Sequence, residues 1–382
     1  MEKFNRINYA IRVASLFYLL GLLMSFKLWL PVRGFPKTPV FYVLKELLFV
    51  EYICFVLLLV ALFLNILKPR KLFSIGIVLS TLWLVLFDQL RLQPWVYMYF
   101  VFFVVFVVFH LDEGHKRKNN SFLFLRIFII GQYIWAGIHK FNTAFIEKIY
   151  FNMVGYFLGN DALTEFPVLM DIGYAIPFLE ISIGLSLFLP KFRTYALVFA
   201  TIMHCFILLY LSPFVSNWNS VVYPWNIAMI ALNWLVFYKQ EDAVFAVFSS
   251  RLRTKVFAVS FIVLVYCLPV LSFFGYWDQY LSFSLYSGKM DKMIVLMDKK
   301  VTNNLSETVQ QYCVSEKKYD KININDWCYK ELNIPIVAER RVFKKLAAKF
   351  CYYQKYGKVS IREYPWQKKG ENYISFKCPT EN

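Results

Sequence analysis

The chain has 382 residues, of which 59% are hydrophobic and 20% aromatic, and its 42 Lys and Arg against 25 Asp and Glu give a net charge of +17. An ordinary soluble domain holds about 45–50% apolar residues, so this composition excludes a simple water-soluble fold. The basic residues stand in short runs between apolar stretches. That pattern is typical of membrane topology and argues against nucleic acid as a partner.

The hydropathy predicts about nine transmembrane helices, because roughly 20 apolar residues are needed to cross a hydrocarbon core of about 30 Å. In chain order these segments are 7–27, 47–67, 72–90, 94–110, 121–139, 167–189, 192–212, 221–238 and 255–275. The first stretch lacks the short apolar core and the cleavage site of a signal peptide, so we expect it to remain as a span. The predicted fold class is therefore an all-α polytopic membrane helix bundle over residues 1–275, with the lipid bilayer as a partner.

Lys and Arg in the loops predict the orientation of this bundle. They are concentrated on one side, in runs such as Lys68 to Lys71 and Lys116 to Lys118. Since cytoplasmic loops carry the excess of positive charge, the N-terminus is predicted to be cytoplasmic. An odd number of spans then places residues 276–382 on the extracytoplasmic side. The abundance of Phe, Ile, Lys and Asn favours a bacterial source, and hence the bacterial inner (plasma) membrane.

Residues 276–382 are predicted to form a small soluble α+β domain. Apolar residues recur at helical spacing over 338–353 and alternate with polar residues around 359–361 and 373–377, as in strands. Four cysteines lie in this tail: Cys313, Cys328, Cys351 and Cys378. In an oxidising compartment they predict two disulfides of open connectivity, and four free thiols in a reducing compartment remain the alternative. No CxxC pair or adjacent His occurs in the tail sequence, so no metal site is predicted.

Ionisable side chains within the spans are candidate functional residues, because each costs about 2.5–3.5 kcal/mol on insertion scales. Lys140, between His139 and Asn142, ends the fifth span. Its amine can extend to the lipid headgroups. A desolvated Lys, however, can act as a base towards a weakly acidic carbon or a quinol oxygen. Its candidate partners are Glu180, which alternatively pairs with a basic residue in helix packing, and His204, which alternatively makes an interhelical hydrogen bond.

Two connections between spans have unusual composition. Asp88 and Arg91 are three residues apart, close enough to pair with each other. The connection before the eighth span is rich in amides and indoles, including Asn217, Trp225 and Asn226. It is either an interfacial re-entrant element or a pocket wall next to the end of the fifth span.

Taken together, these stretches resemble the HTTM family of membrane domains, to which the vitamin K-dependent gamma-carboxylases belong. The resemblance covers about residues 1–290 and rests on Tyr133, on Ala-Gly-Ile-His-Lys-Phe-Asn at 136–142, on 88–95, on His204, on 217–226 and on 282–288. It also implies a cytoplasmic N-terminus.

The resemblance implies a quinol-linked, carboxylase-type enzyme. Lys140 matches a family lysine that acts as the general base on a reduced quinone of vitamin K type, and His204 matches a histidine beside the quinol. Further candidates for the pocket are His139, Asn142, Glu180, Asn217, Trp225 and Asn226. A secreted peptide or protein is the implied kind of substrate, but its identity is not carried over, because His139 replaces the first of two family lysines and the tail is much shorter. The alternative hypothesis is a non-catalytic membrane component of a peptide maturation or export system, in which the tail recognises the peptide.

Overall fold

The computed structural model describes residues 3–109, 115–159, 165–166, 168–240, 244, 252–366 and 372–378. Within these residues, six helices are long and apolar enough to cross a membrane: Arg6–Met24, Leu48–Leu67, Asn120–Lys140, Val168–Phe188, Pro190–Leu211 and Thr254–Phe274. Three shorter apolar helices are Lys71–Phe87, Pro94–Phe109 and Val222–Phe237. These helices coincide with the predicted apolar segments and are compatible with an integral membrane protein.

The helices used below are numbered in chain order: α1 Lys3–Met24, α2 Leu48–Leu67, α3 Lys71–Phe87, α4 Pro94–Phe109, α5 His115–Lys140, α6 Phe151–Leu158, α7 Ala175–Phe188, α8 Arg193–Leu211, α9 Val222–Phe237 and α10 Leu252–Ile262. A π-helix, Phe145–Tyr150, leads directly into α6. Positions 110 and 167, at the ends of two predicted spans, and 367–371 and 379–382 in the predicted tail domain lie outside the described residues.

Helix α5 is the central helix among the candidate spans, since 83% of its apolar window is buried, against 28–44% for the other five. Two glycines allow α7 to pack closely on it. A Cβ at Gly137 would lie 2.7 Å from the carbonyl oxygen of Pro177, and a Cβ at Gly184 would lie 3.2 Å from that of Ile130. Small residues at such a contact let two helix backbones approach each other. This contact determines which side chains of α5 and α7 meet.

The chain divides into two compact units. The first comprises Met1–Leu23, Cys54–Leu82 and Gln93–Gly288, and the second Met24–Ile53, Trp83–Leu92 and Lys289–Asn382. This division differs from the predicted boundary between 275 and 276, because the second unit also includes two connections between apolar helices. Within the second unit, these connections have their own core contacts, such as the ring of Phe35 against Trp327 at 4.7 Å.

The C-terminal part of the second unit is a five-stranded antiparallel sheet with helices. Its strands are β1 Lys292–Met297, β2 Cys313–Ser315, β3 Asp320–Asn323, β4 Val359–Tyr364 and β5 Ile374–Phe376, in the order β2-β3-β1-β4-β5. Helices α11 (Ile324–Leu332) and α12 (Arg340–Cys351) accompany the sheet, and α12 buries its apolar stripe, including Val342, Leu346 and Phe350. The predicted combination of helix and strands in the tail is confirmed.

The tail cysteines differ in their state. Cys351 and Cys378 form a disulfide, whereas Cys313 and Cys328 are free thiols. The second predicted disulfide is therefore not formed. The Cys328 thiol is buried and donates to the carbonyl oxygen of Ile334 at 3.8 Å, and Cys313 lies on the edge strand β2. The two thiols therefore lie in different surroundings and do not form a disulfide with each other.

Buried ion pairs connect the loop segments of the second unit. Asp88 pairs with Arg33, while Glu51 pairs with Arg91 and with Lys37, at 2.6 Å in both cases. The prediction that Asp88 and Arg91 pair with each other is wrong. The guanidinium of Arg91 donates to Glu51 and to backbone carbonyl oxygens instead of to Asp88. Such additional hydrogen bonds are what allow a charge to remain buried.

Candidate functional site

A small cavity of about 80 Å³ lies within the first unit, among α5, α7, α8 and α9. Most of its wall is apolar, and we refer to it below as the inner cavity. Its polar lining side chains include Gln132, Tyr133, Lys140, Glu180, His204 and Asn226. An apolar cavity with a few convergent polar groups is the usual form of a small-molecule site. Five of the predicted site residues, including Trp225, thus meet at one place.

Lys140 and Glu180 form a buried ion pair in the wall of the inner cavity. Lys140 Nζ donates to both carboxylate oxygens of Glu180, at 2.8 and 2.7 Å. The two residues are only 8% and 5% exposed. The pair forms because Gly137, one turn before Lys140, brings α7 close to α5. Since the pair is neutral overall, a proton can move between it and a bound molecule without changing the net charge of the cavity.

A directed chain of hydrogen bonds holds His204. The amide nitrogen of Asn226 donates to the carbonyl oxygen of Val222 at 2.9 Å, so the amide oxygen of Asn226 faces His204 Nδ1, at 2.8 Å. Nδ1 must therefore carry the proton and donate. His204 Nε2 is then the acceptor, and it receives the hydroxyl of Tyr133 at 2.7 Å. The amide nitrogen of Asn233 in turn donates to the Tyr133 oxygen at 2.6 Å.

This chain fixes the role that His204 can have. Both ring nitrogens are occupied by Tyr133 and Asn226, so the imidazole is held as a neutral ring with one defined tautomer. His204 therefore positions its neighbours in the cavity wall and is not free to take a proton directly from a ligand. Asn233 of α9 completes this chain of hydrogen bonds with an uncharged amide.

Gln132 adds an acceptor that the search for ionisable residues missed. Its side chain lines the inner cavity, is 8% exposed, and its Oε1 accepts no hydrogen bond from the described residues. A buried polar atom without a partner is costly, and one that faces a cavity can be satisfied by a ligand. The sequence does indicate Gln132 as a candidate, because an amide side chain within an apolar span is unusual.

Within the described part of the chain, no three His, Cys, Asp or Glu side chains come together as they would around a metal ion. The inner cavity itself offers amine, carboxylate, phenol, imidazole and amide groups. No protein-family model, curated protein or solved structure matches the chain.

Of the other predicted residues, His139, Asn142 and Asn217 lie outside the lining of the inner cavity. His139 stacks on Phe273, with ring centroids 4.7 Å apart. Asn217 is in a loop, with a left-handed φ of 46°. Trp225 does line the cavity, and its indole nitrogen contacts the sulfur of Met98 at 3.0 Å. His139 and Asn217 are thus placed near the site in sequence but not in its wall.

Asn142 helps to hold the segment 283–288, which closes one side of the inner cavity. Its amide nitrogen donates to the carbonyl oxygen of Ser287 at 3.0 Å. Phe283 and Tyr286 both line the cavity and have left-handed φ angles of 60° and 55°. Such angles are unfavourable for bulky residues and are kept only where the surrounding structure enforces them. Asn142 therefore acts on the cavity through this segment.

Proposed function

We propose that the chain is a multi-pass membrane enzyme in which Lys140 and Glu180 move a proton to and from a weakly acidic, lipid-soluble molecule. The observation that carries this proposal is the buried, two-oxygen ion pair in the wall of an otherwise apolar cavity. A purely structural pair of this kind is often replaceable by apolar residues without loss of stability. Its place in a cavity wall favours a chemical role.

The pair is suited to deprotonating a hydroxyl group. Glu180 accepts the proton, and the Lys140 ammonium becomes the partner of the resulting oxyanion in place of the carboxylate. Charge is redistributed without a new net charge, which a low-dielectric cavity would resist. The amine is already in position, so little reorganisation is needed when the anion forms. Lys140 and Glu180 thus share the role that a single lysine base would have.

The resemblance to the HTTM family supports a reduced quinone of vitamin K type as the lipid-soluble molecule. The polar groups fit it, since Glu180 and the unpartnered Oε1 of Gln132 offer one acceptor to each of two hydroxyls. With dioxygen as the oxidant, the deprotonated quinol would supply a strong base for a carboxylase-type reaction on a secreted peptide or protein. About 80 Å³ is small for a two-ring quinol, so the inner cavity must enlarge for binding.

We also propose that all nine apolar helices cross a bacterial inner membrane. The three shorter helices have 16 or 17 residues, close to the lower limit of about 17 for a span. The distribution of Lys and Arg supports a cytoplasmic N-terminus and an extracytoplasmic tail. Lys140 would then lie near the extracytoplasmic end of its span, where a secreted substrate can be reached.

The absorbance of a naphthoquinolate anion tests the proposal directly. A reduced naphthoquinone is added without oxygen to the full chain in lipid nanodiscs, and formation of the bound anion is followed. We expect wild type to form it, Lys140→Met and Glu180→Gln to lose it, and His139→Gln, outside the cavity wall, to retain it. An undiminished anion signal in both cavity variants, with folding verified, would refute the proposal.

A second candidate function is that of a non-catalytic partner in peptide maturation or export. It is favoured by a cleft of about 710 Å³ within the second unit, lined by aromatic and basic side chains that include Trp327, Tyr352, Tyr353, Lys345 and Lys349. Such a surface suits an extended peptide. If this function is correct, Lys140→Met retains export of the peptide while Tyr352→Ala and Tyr353→Ala lose it.

A further inference from the structure

A second pocket of about 580 Å³ lies within the first unit, and we refer to it as the outer pocket. One wall is the helical segment that begins with the π-helix Phe145–Tyr150 and continues as α6. Lys148, Asn152 and Tyr156 line the pocket at intervals of four residues along this segment. π-helical turns are rare and occur frequently at functional sites. This one lies in the wall that carries Lys148.

The opposite wall of the outer pocket is formed by the end of α8 and the loop after it. Tyr210, Ser216 and Trp218 line it. The Ser216 hydroxyl donates to the carbonyl oxygen of Tyr210 at 2.6 Å, which fixes the loop. The rings of Tyr156 and Tyr210 meet across the pocket, 6.0 Å apart. The lining thus offers an ammonium, an amide and the hydroxyl groups of two tyrosines, the donors that an anionic group requires.

Lys148 gives the outer pocket its charge. It is the charged residue among the described lining residues, which otherwise are polar, aromatic or apolar. The inner cavity, by contrast, holds a neutral ion pair and largely apolar walls. The two spaces therefore differ in the chemistry that they can accept, since one suits a lipid-soluble group and the other an anion in contact with water.

One layer of side chains separates the two spaces. Trp218, in the wall of the outer pocket, packs on Tyr286, in the wall of the inner cavity, with ring centroids 5.3 Å apart. The amide nitrogen of Asn219 donates to the Tyr286 hydroxyl. Asn219 and Tyr286 both have left-handed φ angles, of 48° and 55°. These angles are kept by the contacts around them, so the closed form of this layer depends on contacts such as those of Tyr286 with Trp218 and Asn219.

We propose that the outer pocket binds the carboxylate or phosphate group of a water-soluble co-substrate through Lys148, and that Trp218 and Tyr286 form a movable partition between this molecule and the inner cavity. The partition rests on the proposed function, because it brings a second reactant to the group deprotonated at Lys140 and Glu180. The anion site is inferred from the outer pocket alone and does not depend on the proposed function. Lys148 is a specificity-determining residue, and Tyr286 is a positioning residue.

The anion site is tested by calorimetric titration of the full chain, in zwitterionic phosphatidylcholine nanodiscs, with glutarate and separately with inorganic phosphate. We expect Lys148→Gln to weaken binding about fivefold, the effect of losing one exposed charge-assisted contact. The matched control Lys191→Gln, which removes an exposed lysine outside the outer pocket, should bind like wild type. Equal affinity of wild type and Lys148→Gln for both anions would overturn the site. Loss of binding in nanodiscs with anionic phosphatidylglycerol would identify a lipid headgroup as the occupant and overturn the assignment to a water-soluble molecule.

The partition is tested by acrylamide quenching of Trp225, which lines the inner cavity. Its signal is obtained as the difference between each protein and the same protein carrying Trp225→Phe. We expect Tyr286→Ala to increase the quenching constant at least twofold, and Tyr276→Ala, at an exposed tyrosine, to leave it unchanged. Unchanged quenching in Tyr286→Ala would overturn the partition. Neither measurement uses a quinol, so the two tests can fail independently of the naphthoquinolate test.

Discussion

Lys140 Nζ lies within hydrogen-bonding distance of both carboxylate oxygens of Glu180, at 2.8 and 2.7 Å, although the two residues are 40 positions apart in the chain. Each charge is therefore the other's main compensation inside an apolar bundle. Removing either partner leaves a buried charge, whereas removing both leaves none. The energetic consequence differs between these two cases and can be measured.

We expect Lys140→Met and Glu180→Gln each to lower the free energy of unfolding by about 3–5 kcal/mol, as for other broken buried pairs. The double variant Lys140→Met with Glu180→Gln should be less destabilised than either single variant, because no uncompensated charge remains. Denaturant unfolding of the four proteins in detergent micelles gives the coupling energy. Additive effects of the two substitutions would contradict a direct pair.

Tyr133→Phe should break the hydrogen-bond chain through His204. The substitution leaves His204 Nε2 without its donor and the Asn233 amide without its acceptor, at a cost of about 1–3 kcal/mol for each buried group. Tyr276→Phe, at an exposed tyrosine, serves as the control and should change stability little. The same unfolding experiment measures both. Equal stabilities of the two variants would show that the chain contributes nothing.

Gly288→Ala should be more damaging than Gly275→Ala, although both glycines have a φ of 75°. At Gly275 a Cβ would meet nothing within 4 Å. The only cost of Gly275→Ala is therefore that of placing alanine in a left-handed backbone conformation, about 1–2 kcal/mol. At Gly288 a Cβ would lie 2.5 Å from the backbone of Ala144, so the segment 283–288 must move as well. We expect Gly288→Ala alone to lose the naphthoquinolate signal. Similar behaviour of the two variants would argue against close packing at Gly288.

Lys289 predicts a pH dependence of stability in the second unit. Burial lowers the pKa of its ammonium from 10.5 to about 8. Between these two values the unfolded chain holds this proton and the folded chain does not, so the free energy of unfolding should rise as the pH increases from about 8 to 10.5. Lys289→Met should remove this part of the rise, and Lys292→Met should preserve it. Unfolding measured at several pH values in this interval decides the matter.

The apolar helices could be predicted from sequence because hydropathy is a local property of 16–22 consecutive residues. The same holds for α12, whose apolar stripe is visible in the residues themselves. Lys140, Glu180 and His204 could be nominated one by one, since each is costly within an apolar span. Their partners could not be assigned, because pairing depends on how each helix is rotated about its axis, which Gly137 and Gly184 help to determine.

Other features depend on contacts between distant segments. Asp88 and Arg91 are neighbours in sequence, yet each finds its partner in the segment 24–53 of the second unit. Gln132 and Asn233 are uncharged, so a search for ionisable groups passed over them. The family resemblance supplied a role for Lys140, but it gave no indication that a carboxylate lies against its amine.

The π-helix Phe145–Tyr150 makes the outer pocket depend on the length of the chain at this point. A π-helical turn contains one residue more than the corresponding α-helical turn, and one residue corresponds to a rotation of about 100°. A single deletion here would restore a regular α-helix and turn Asn152 and Tyr156 away from Trp218. Every one of these residues would still be present. In related chains, the spacing between Lys140 and Tyr156 would therefore indicate an outer pocket more reliably than the identities of the residues that line it.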